Sequence, residues 1–320
     1  MPLTQVFSAS RLLFAEQNCL DLPPAAVLLS LPLSVEAEVK GGSGASRNVV
    51  LNDGLQFPKA SFGLQVYDDE TAERLTLQAI EAGYRNFFAS VLAGNQKGFA
   101  RAVQKSGVPR EEFFICGSVV SNLAQDFDDA YSTTKEGCDK NLEVLAEGGI
   151  TKLDMILLDY PAKDCETIRG QWKAFEEMKA AKQTKSLAVS NFSPEQLDCI
   201  LADPDATKPV LNQLPYSPKN YDAKAVEENG KRGILVQAWG PLGSGSLGIS
   251  ASSACEEIGQ KYGKSAAQVA LSFGSFRNLL DATELGPIIG IRSAQSDVES
   301  FERDELDELS SPKDLSDPFW

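Results

Sequence analysis

The sequence predicts an α/β protein: a closed (β/α)8 TIM barrel with an N-terminal β-hairpin and an N-terminal extension. Short apolar or β-branched runs alternate with amphipathic segments eight times along the chain. Residues 48–304 have the length of one such barrel. A doubly wound open sheet would place a Gly-rich phosphate loop after its first strand, and residues 62–67 do not form one.

The elements follow from local patterns, taken in chain order. Residues 49–57 predict a hairpin, because two apolar arms flank the Asn52-Asp53-Gly54 turn signal. Apolar and β-branched runs predict the eight strands, at 60–64, 86–89, 113–119, 153–158, 186–189, 210–213, 234–238 and 287–291. Amphipathic segments predict the helices, at 70–82, 95–106, 128–147, 166–181, 194–202, 221–231, 252–262, 265–279 and 294–304.

Helix ends carry their own signals. Ser193, Pro194 and Gln196 predict a helix start, because they offer a capping serine, a proline at the first helical position and a side chain that reaches back to the cap. Gly83 and Gly230 are predicted helix exits, where glycine tolerates a left-handed backbone.

The chain divides into three parts by composition. Residues 1–47 are predicted to be an extension that closes with a Gly/Ser linker, residues 48–304 the barrel, and residues 305–320 an acidic tail. The apolar run at 25–35 is too short to span a bilayer and contains Pro32, so we expect no membrane span. Its flanks favour a structural or disordered extension over a cleaved signal peptide.

Charge and histidine content exclude several function classes. Lys and Arg number 30 against 45 Asp and Glu, a net charge of −15, which repels nucleic-acid backbones and anionic lipid surfaces. The chain has no histidine, so Ser-His-Asp chemistry, Cys-His chemistry and histidine-ligated zinc are excluded. The acidic runs at 126–129 and 302–308 lack the ligand spacing of a calcium loop, so no metal site is expected.

The six cysteines show no C-x-x-C pair. A chain of this size needs no disulfide staples, so we expect the cytoplasm or another reducing compartment, with a plastid as an alternative. Cys116 lacks a neighbouring histidine or lysine, so we expect a buried, protonated thiol.

Several strand ends resemble the aldo-keto reductase superfamily. The matching segments follow the family's order and spacing: 51–54 with Pro58, 62–64, 82–85, 94–96, 110–114, 153–158 with Pro161, 189–192, 212–213, 238–243 and 262–271. The resemblance implies a barrel that binds NADPH in an extended pose and reduces carbonyls. It also implies four catalytic residues, namely a tyrosine acid, a lysine, an aspartate and a histidine.

The positions that match these four residues hold other side chains. Phe88 stands in place of the aspartate, Ala93 of the tyrosine, Ser118 of the lysine and Asp159 of the histidine. The neighbouring Tyr160 is the one nearby acid, and strand alternation turns it away from the side that Asp159 faces. The chain therefore resembles a divergent member that lacks the catalytic tetrad.

Part of the family's cofactor cradle matches. Ser190, Asn191 and Gln213 match the residues that hold the nicotinamide carboxamide, and Trp239 matches the stacking aromatic. Structural roles would suit the same residues: a helix cap for the Ser-Asn pair, strand-end hydrogen bonding for Gln213, and core packing for Trp239. The Gly-rich loop 240–246 resembles the loop over the pyrophosphate, and one basic residue lies near the 2′-phosphate position; the candidate contacts are Gly240, Leu242, Ser244 and Arg292.

These matches lead to two main hypotheses. The first is a binding, regulatory or scaffold subunit without carbonyl-reductase activity, which contacts a protein partner through residues 1–47. The alternative is an NADPH-dependent oxidoreductase with weak or atypical activity. In both cases NADP(H) binding is expected to be weak, because most of the matched phosphate contacts are missing. A third hypothesis uses Asp159 as the base of a non-redox site, against the simpler expectation of a solvated carboxylate.

Overall fold

A computed structural model describes residues 48–64, 67–218, 220–242, 253–262, 265–267, 269–271, 273 and 288–290. Eight parallel strands close into a barrel, in which each strand pairs with its neighbour and the last pairs with the first. They are β3 Ala60–Gly63, β4 Asn86–Ala89, β5 Phe114–Val119, β6 Leu153–Asp159, β7 Thr184–Ser190, β8 Leu211–Pro215, β9 Leu235–Trp239 and β10 Ile288–Gly290. The predicted (β/α)8 barrel is confirmed.

The predicted hairpin is also confirmed, and it lies at the amino end of the barrel. Strand β1 (Asn48–Val50) pairs antiparallel with β2 (Gln56–Pro58). The Asn52 amide donates to the carbonyl oxygens of Pro209 and Gly233, which precede β8 and β9, at 2.9 and 3.0 Å. These bonds fix the turn of the hairpin across the strand starts and leave the carboxyl end of the barrel open for a site.

Helices follow the strands close to their predicted positions. They are α1 Asp69–Glu81, α2 Gln96–Ser106, α3 Phe127–Ala146, α4 Cys165–Ala180, α5 Pro194–Leu201, α6 Ala223–Lys231 and α7 Ser253–Tyr262. After α7, residues 266–267, 269–271 and 273 are helical, and the predicted helix at 294–304 lies outside the described residues. Two short 3₁₀ turns, Val91–Ala93 and Arg110–Glu112, are additions to the prediction.

The predicted helix ends can be compared with the structure at α5, α1 and α6. Ser193 and Gln196 form the predicted reciprocal capping box at the start of α5. Gly83 adopts a left-handed conformation after α1, as predicted. The prediction for Gly230 was wrong, because α6 continues to Lys231 and Gly233 takes the positive φ of 68°. Arg232 holds this end of the helix through bonds to Glu228.

Strand alternation divides the apolar side chains into two layers. The inner layer fills the barrel and contains Phe114, Cys116, Met155 and Leu157, while a larger layer packs between strands and helices. The Phe57 and Phe114 rings pack edge to face at the amino end of the barrel, with their centroids 4.9 Å apart. Among the described helices, none has the length and apolar composition needed to cross a bilayer.

The cysteines differ in part from their prediction. Cys165 on α4 and Cys199 on α5 form a disulfide, so the expectation that the chain needs no disulfide was wrong. No local pattern signals this pair, because the two residues lie 34 positions apart on different helices. Cys116 is buried as expected, and burial raises the pKa of its thiol well above the ordinary value. The location in a reducing compartment stays a prediction.

Candidate functional site

The carboxyl ends of the strands form one polar patch inside an otherwise apolar barrel. Side chains two positions apart on a strand face the same side of the sheet, so each residue of this patch shares the inner face with the inner-layer residues of the barrel. We call this set the mouth: Phe88, Ser118, Asp159, Ser190, Gln213, Gln237 and Trp239. Strand pairing brings Asp159 beside Ser190, Ser190 beside Gln213, and Gln213 beside Gln237.

Asn191 connects two walls of the mouth. Its amide nitrogen donates to Asp159 Oδ1 and to Ser190 Oγ, both at 3.0 Å. Its amide oxygen accepts from Trp239 Nε1 at 3.2 Å. Asn191 has a φ of 63°, a left-handed conformation that asparagine tolerates better than most residues. Because the helix cap is Ser193, the alternative of a capping role for Ser190 and Asn191 is wrong.

Asp159 is buried rather than solvated, so the expectation of a solvated carboxylate was wrong. Its residue is 7% exposed. Burial raises the pKa of its carboxyl group above the ordinary value, and hydrogen bonds from Ser190 and Asn191 oppose that shift. Among the described residues, no lysine or arginine forms a hydrogen bond or ion pair with Asp159. The mouth therefore contains a carboxyl group that resists ionisation and has no basic partner.

Two glutamine side chains face each other on adjoining strands. Gln213 Nε2 donates to Gln237 Oε1 at 2.9 Å, and both residues are buried. No described residue hydrogen-bonds Gln213 Oε1 or Gln237 Nε2, which leaves one acceptor and one donor at the mouth. Gln237 was not among the predicted site residues. Its position two residues before Trp239 on the same strand was the available signal.

The other predicted positions are held by structural contacts. Ser118 is buried, and its hydroxyl accepts from the Val91 backbone N–H at 3.0 Å. Ala93 is buried at the end of the first 3₁₀ turn. Phe88 is partly buried and packs against the inner apolar layer of the barrel. None of these three side chains hydrogen-bonds Asp159 or Asn191 in the described structure.

The remaining candidate contacts follow β9. Trp239 is 37% exposed, so the alternative of a core role is wrong. Gly240 has a φ of 61°, which starts the turn after the strand, and Leu242 packs partly buried against two apolar clusters. Ser244 and Arg292 lie outside the described residues.

Exposed apolar side chains occur at the same end of the barrel as the mouth. Four large side chains are exposed on four different loops or strand ends at this end of the barrel: Leu92, Leu123, Tyr160 and Trp239. Tyr160 directly follows β6 with a φ of 67° and is exposed, and its orientation away from Asp159 stays a prediction. Partial burial raises the pKa of its hydroxyl group above the ordinary value. Exposed large apolar side chains at the carboxyl end of a barrel, where sites of this fold form, are typical of a binding site.

Comparison with known proteins identifies the family. Residues 56–302 match the profile of the Aldo/keto reductase family. An aldo-keto reductase of Mycobacterium sp. (strain MCS) is 32% identical over 258 residues, which cover 81% of this chain and 84% of that protein. The glyoxal reductase of Bacillus subtilis (strain 168) is 31% identical over 226 residues, which cover 70% and 76%. The crystal structure of an aldo/keto reductase from Brucella melitensis has a TM-score of 0.70 at 26% identity and covers 82% of this chain and 98% of that chain. The chain belongs to the aldo/keto reductase family.

Proposed function

We propose that this family member lacks carbonyl-reductase activity and acts as a binding, regulatory or scaffold subunit. The observation that carries the proposal is the set of side chains at the four positions that match the family's catalytic residues. Phe88, Ala93, Ser118 and Asp159 stand there. Reduction of a carbonyl needs an acid that protonates the oxygen as hydride reaches the carbon, and none of these is the family's tyrosine with its lysine.

The contacts of these residues support the proposal. The Ser118 hydroxyl is used by the Val91 backbone, and Phe88 fills apolar space inside the barrel. A buried aspartate that lost its lysine partner would cost about 3–5 kcal/mol, so replacement of both groups relieves the fold. Apolar packing of Phe88 and a backbone hydrogen bond to Ser118 are structural contacts that involve no acid-base chemistry.

Asp159 supports the same conclusion. It is the one ionisable side chain among the four, and its contacts come from Ser190 and Asn191 rather than from a cation. A group that cycles protons must exchange them with a partner or with water in each turnover, and Asp159 is nearly closed to water. Its role in this proposal is to hold Asn191 across the mouth.

The family generally uses NADP(H), and we propose that this chain binds it weakly. Gln213 and Gln237 together offer one free acceptor and one free donor, which matches the needs of a carboxamide. The exposed ring of Trp239 offers a stacking surface. The Asn191 amide already donates to Asp159 and accepts from Trp239. A nicotinamide carboxamide bound to Asn191 would therefore displace one of these contacts. The mouth therefore fits a nicotinamide group with fewer contacts than the matched residues suggest.

The alternative is an NADPH-dependent oxidoreductase with weak or atypical activity. The open glutamine pair and the exposed Trp239 ring favour it. The bound cofactor would supply the hydride, and this chain would contribute positioning while water supplies the proton. The third hypothesis, a non-redox site built on Asp159, is disfavoured by Phe88, because its apolar ring is part of the mouth and packs against the inner apolar layer.

Two measurements separate these proposals. Quenching of Trp239 fluorescence during an NADPH titration, absent in Trp239→Phe, supports cofactor binding; a flat titration at millimolar NADPH contradicts it. NADPH oxidation is then followed with a panel of aldehydes, beside an active family member. A rate equal to the protein-free background supports the non-catalytic proposal, whereas a slow rate lost in Trp239→Phe supports the alternative.

The proposed partner contact through residues 1–47 has its own test. Purified full-length chain and a variant that begins at residue 48 would be compared for recovery of the same identified protein from matched extracts. The proposal expects recovery by the full-length chain alone. Equal recovery by both chains would contradict a role for the extension.

A further inference from the structure

The Cys165–Cys199 disulfide joins two helices on the outside of the barrel. Cys165 is the first residue of α4, and Cys199 lies in the last turns of α5. The two Cα atoms are 4.9 Å apart, a normal separation for a disulfide. The helices also touch through the Arg169 guanidinium, whose Nε donates to the Cys199 carbonyl oxygen at 3.1 Å. The helix pair therefore keeps contacts of its own when the sulfur–sulfur bond is absent.

The two sulfurs differ in access. Cys165 is exposed at the start of its helix, whereas Cys199 is 6% exposed. An incoming thiolate must approach a disulfide along the sulfur–sulfur axis, so we infer that it attacks the sulfur of the exposed residue, Cys165. Attack on Cys165 would leave Cys199 as the departing thiolate. Cys116, Cys138 and Cys255, the other cysteines that the structure describes, are buried.

The disulfide links the two chain segments that follow Asp159 and Asn191. Cys165 lies six residues after Asp159, and Cys199 lies eight residues after Asn191. The same two segments are tied at the mouth by the Asn191–Asp159 hydrogen bond and by a bond from Tyr160 N to Ser190 O at 3.2 Å. The β6–α4 and β7–α5 segments are thus fixed at both ends, by hydrogen bonds at the mouth and by a covalent bond at the helices.

We propose that Cys165–Cys199 is a thiol–disulfide exchange site for a dithiol reductant, and that its state controls the order of the 160–164 and 191–193 segments. In the first step a reductant thiolate attacks Cys165 Sγ, a mixed disulfide forms, and Cys199 leaves as a thiolate. The second reductant thiol then displaces Cys165. The protein disulfide gains two electrons and two protons, and the reductant becomes its disulfide. This inference goes beyond the proposed function of the mouth and does not depend on it.

Differential alkylation tests the exchange site. Full-length protein, purified without reductant, is alkylated with light iodoacetamide, reduced with dithiothreitol under native conditions and alkylated again with the heavy reagent. We expect the heavy label on Cys165 and Cys199, and neither label on Cys116, Cys138 or Cys255. Light label on Cys165, or reduction of the pair only in denaturant, would overturn the proposal.

Hydrogen–deuterium exchange tests the coupling to the mouth. On reduction, we expect amides in segments 160–164 and 191–193 to exchange roughly threefold faster or more, because local openings lose a covalent restraint. The double variant Cys165→Ala/Cys199→Ala should show the fast rate with or without dithiothreitol, and Cys138→Ala should match the wild type. If the double variant does not fold, reduced wild-type protein supplies the same comparison. Unchanged exchange in these segments on reduction would refute the coupling.

Discussion

Asn191 offers the sharpest test of how the mouth is held together. In Asn191→Gly the left-handed backbone is kept, but the amide that serves Asp159, Ser190 and Trp239 is lost. Removing a hydrogen bond to a charged or buried carboxyl group costs about 1.5–3 kcal/mol. In Asn191→Ala the same bonds are lost, and the φ of 63° adds a further cost of about 1–2 kcal/mol. We therefore expect the unfolding free energy to fall in the order wild type, glycine variant, alanine variant, with the last lower than wild type by about 2.5–5 kcal/mol.

The assay is equilibrium unfolding in urea, followed by circular dichroism. With a slope of about 3 kcal/mol per molar, the urea midpoint of the alanine variant should fall by about 0.8–1.7 M and that of the glycine variant by about 0.5–1 M. Asp159→Ala combined with Asn191→Gly should cost less than the sum of the single changes, since the two side chains are in contact. Equal midpoints for the glycine and alanine variants, or additive costs in the double variant, would refute the reasoning.

Three further predictions concern the same fold. Removing the disulfide in Cys165→Ala/Cys199→Ala should lower the unfolding free energy by about 3.8 kcal/mol, from closure of a loop of 34 residues; an unchanged urea midpoint would disprove this. Asp159→Asn should become more stable relative to wild type as pH rises, because burial raises the pKa of the Asp159 carboxyl group in the folded state. The stability that protonated Asp159 contributes to the wild type is full below the ordinary pKa of 3.8 and is lost as pH rises through the raised folded pKa. Parallel stability curves of the two proteins from pH 3 to 8 would argue against this. Gly117→Ala should destabilise by about 1–3 kcal/mol, since its Cβ would meet Asn141 Oδ1 at 2.6 Å, whereas the control Gly63→Ala has no contact closer than 4.0 Å; equal thermal midpoints for the two would count against the packing.

Periodicity was sufficient to predict the barrel. The strand at Asn86–Ala89 and the capped start of α5 lie where the pattern and the Ser193 signal put them, because both depend on neighbouring residues alone. The end of α6 was misplaced, because Gly230 stays helical while Arg232 bonds Glu228 and Asp198. The bond to Asp198 on α5 comes from outside the helix, so a pattern within α6 does not signal it.

The candidate site was only partly predictable. The family resemblance singled out Asp159 and Gln213, but the bonds that join Asp159 to Asn191 depend on the register of β6 and β7. Burial of Asp159 is a property of the closed barrel and has no local signal. The disulfide likewise joins residues that only the packing of α4 against α5 brings together.

The central claim is that the mouth has no proton donor suited to carbonyl reduction. The most direct measurement is NADPH oxidation by the full-length protein with an aldehyde panel at saturating NADPH, in oxidised and in reduced protein. We expect no turnover above the protein-free background in either state. A turnover number of about 1 s⁻¹ or more, as in ordinary enzymes, that is lost in Asp159→Ala would contradict the claim.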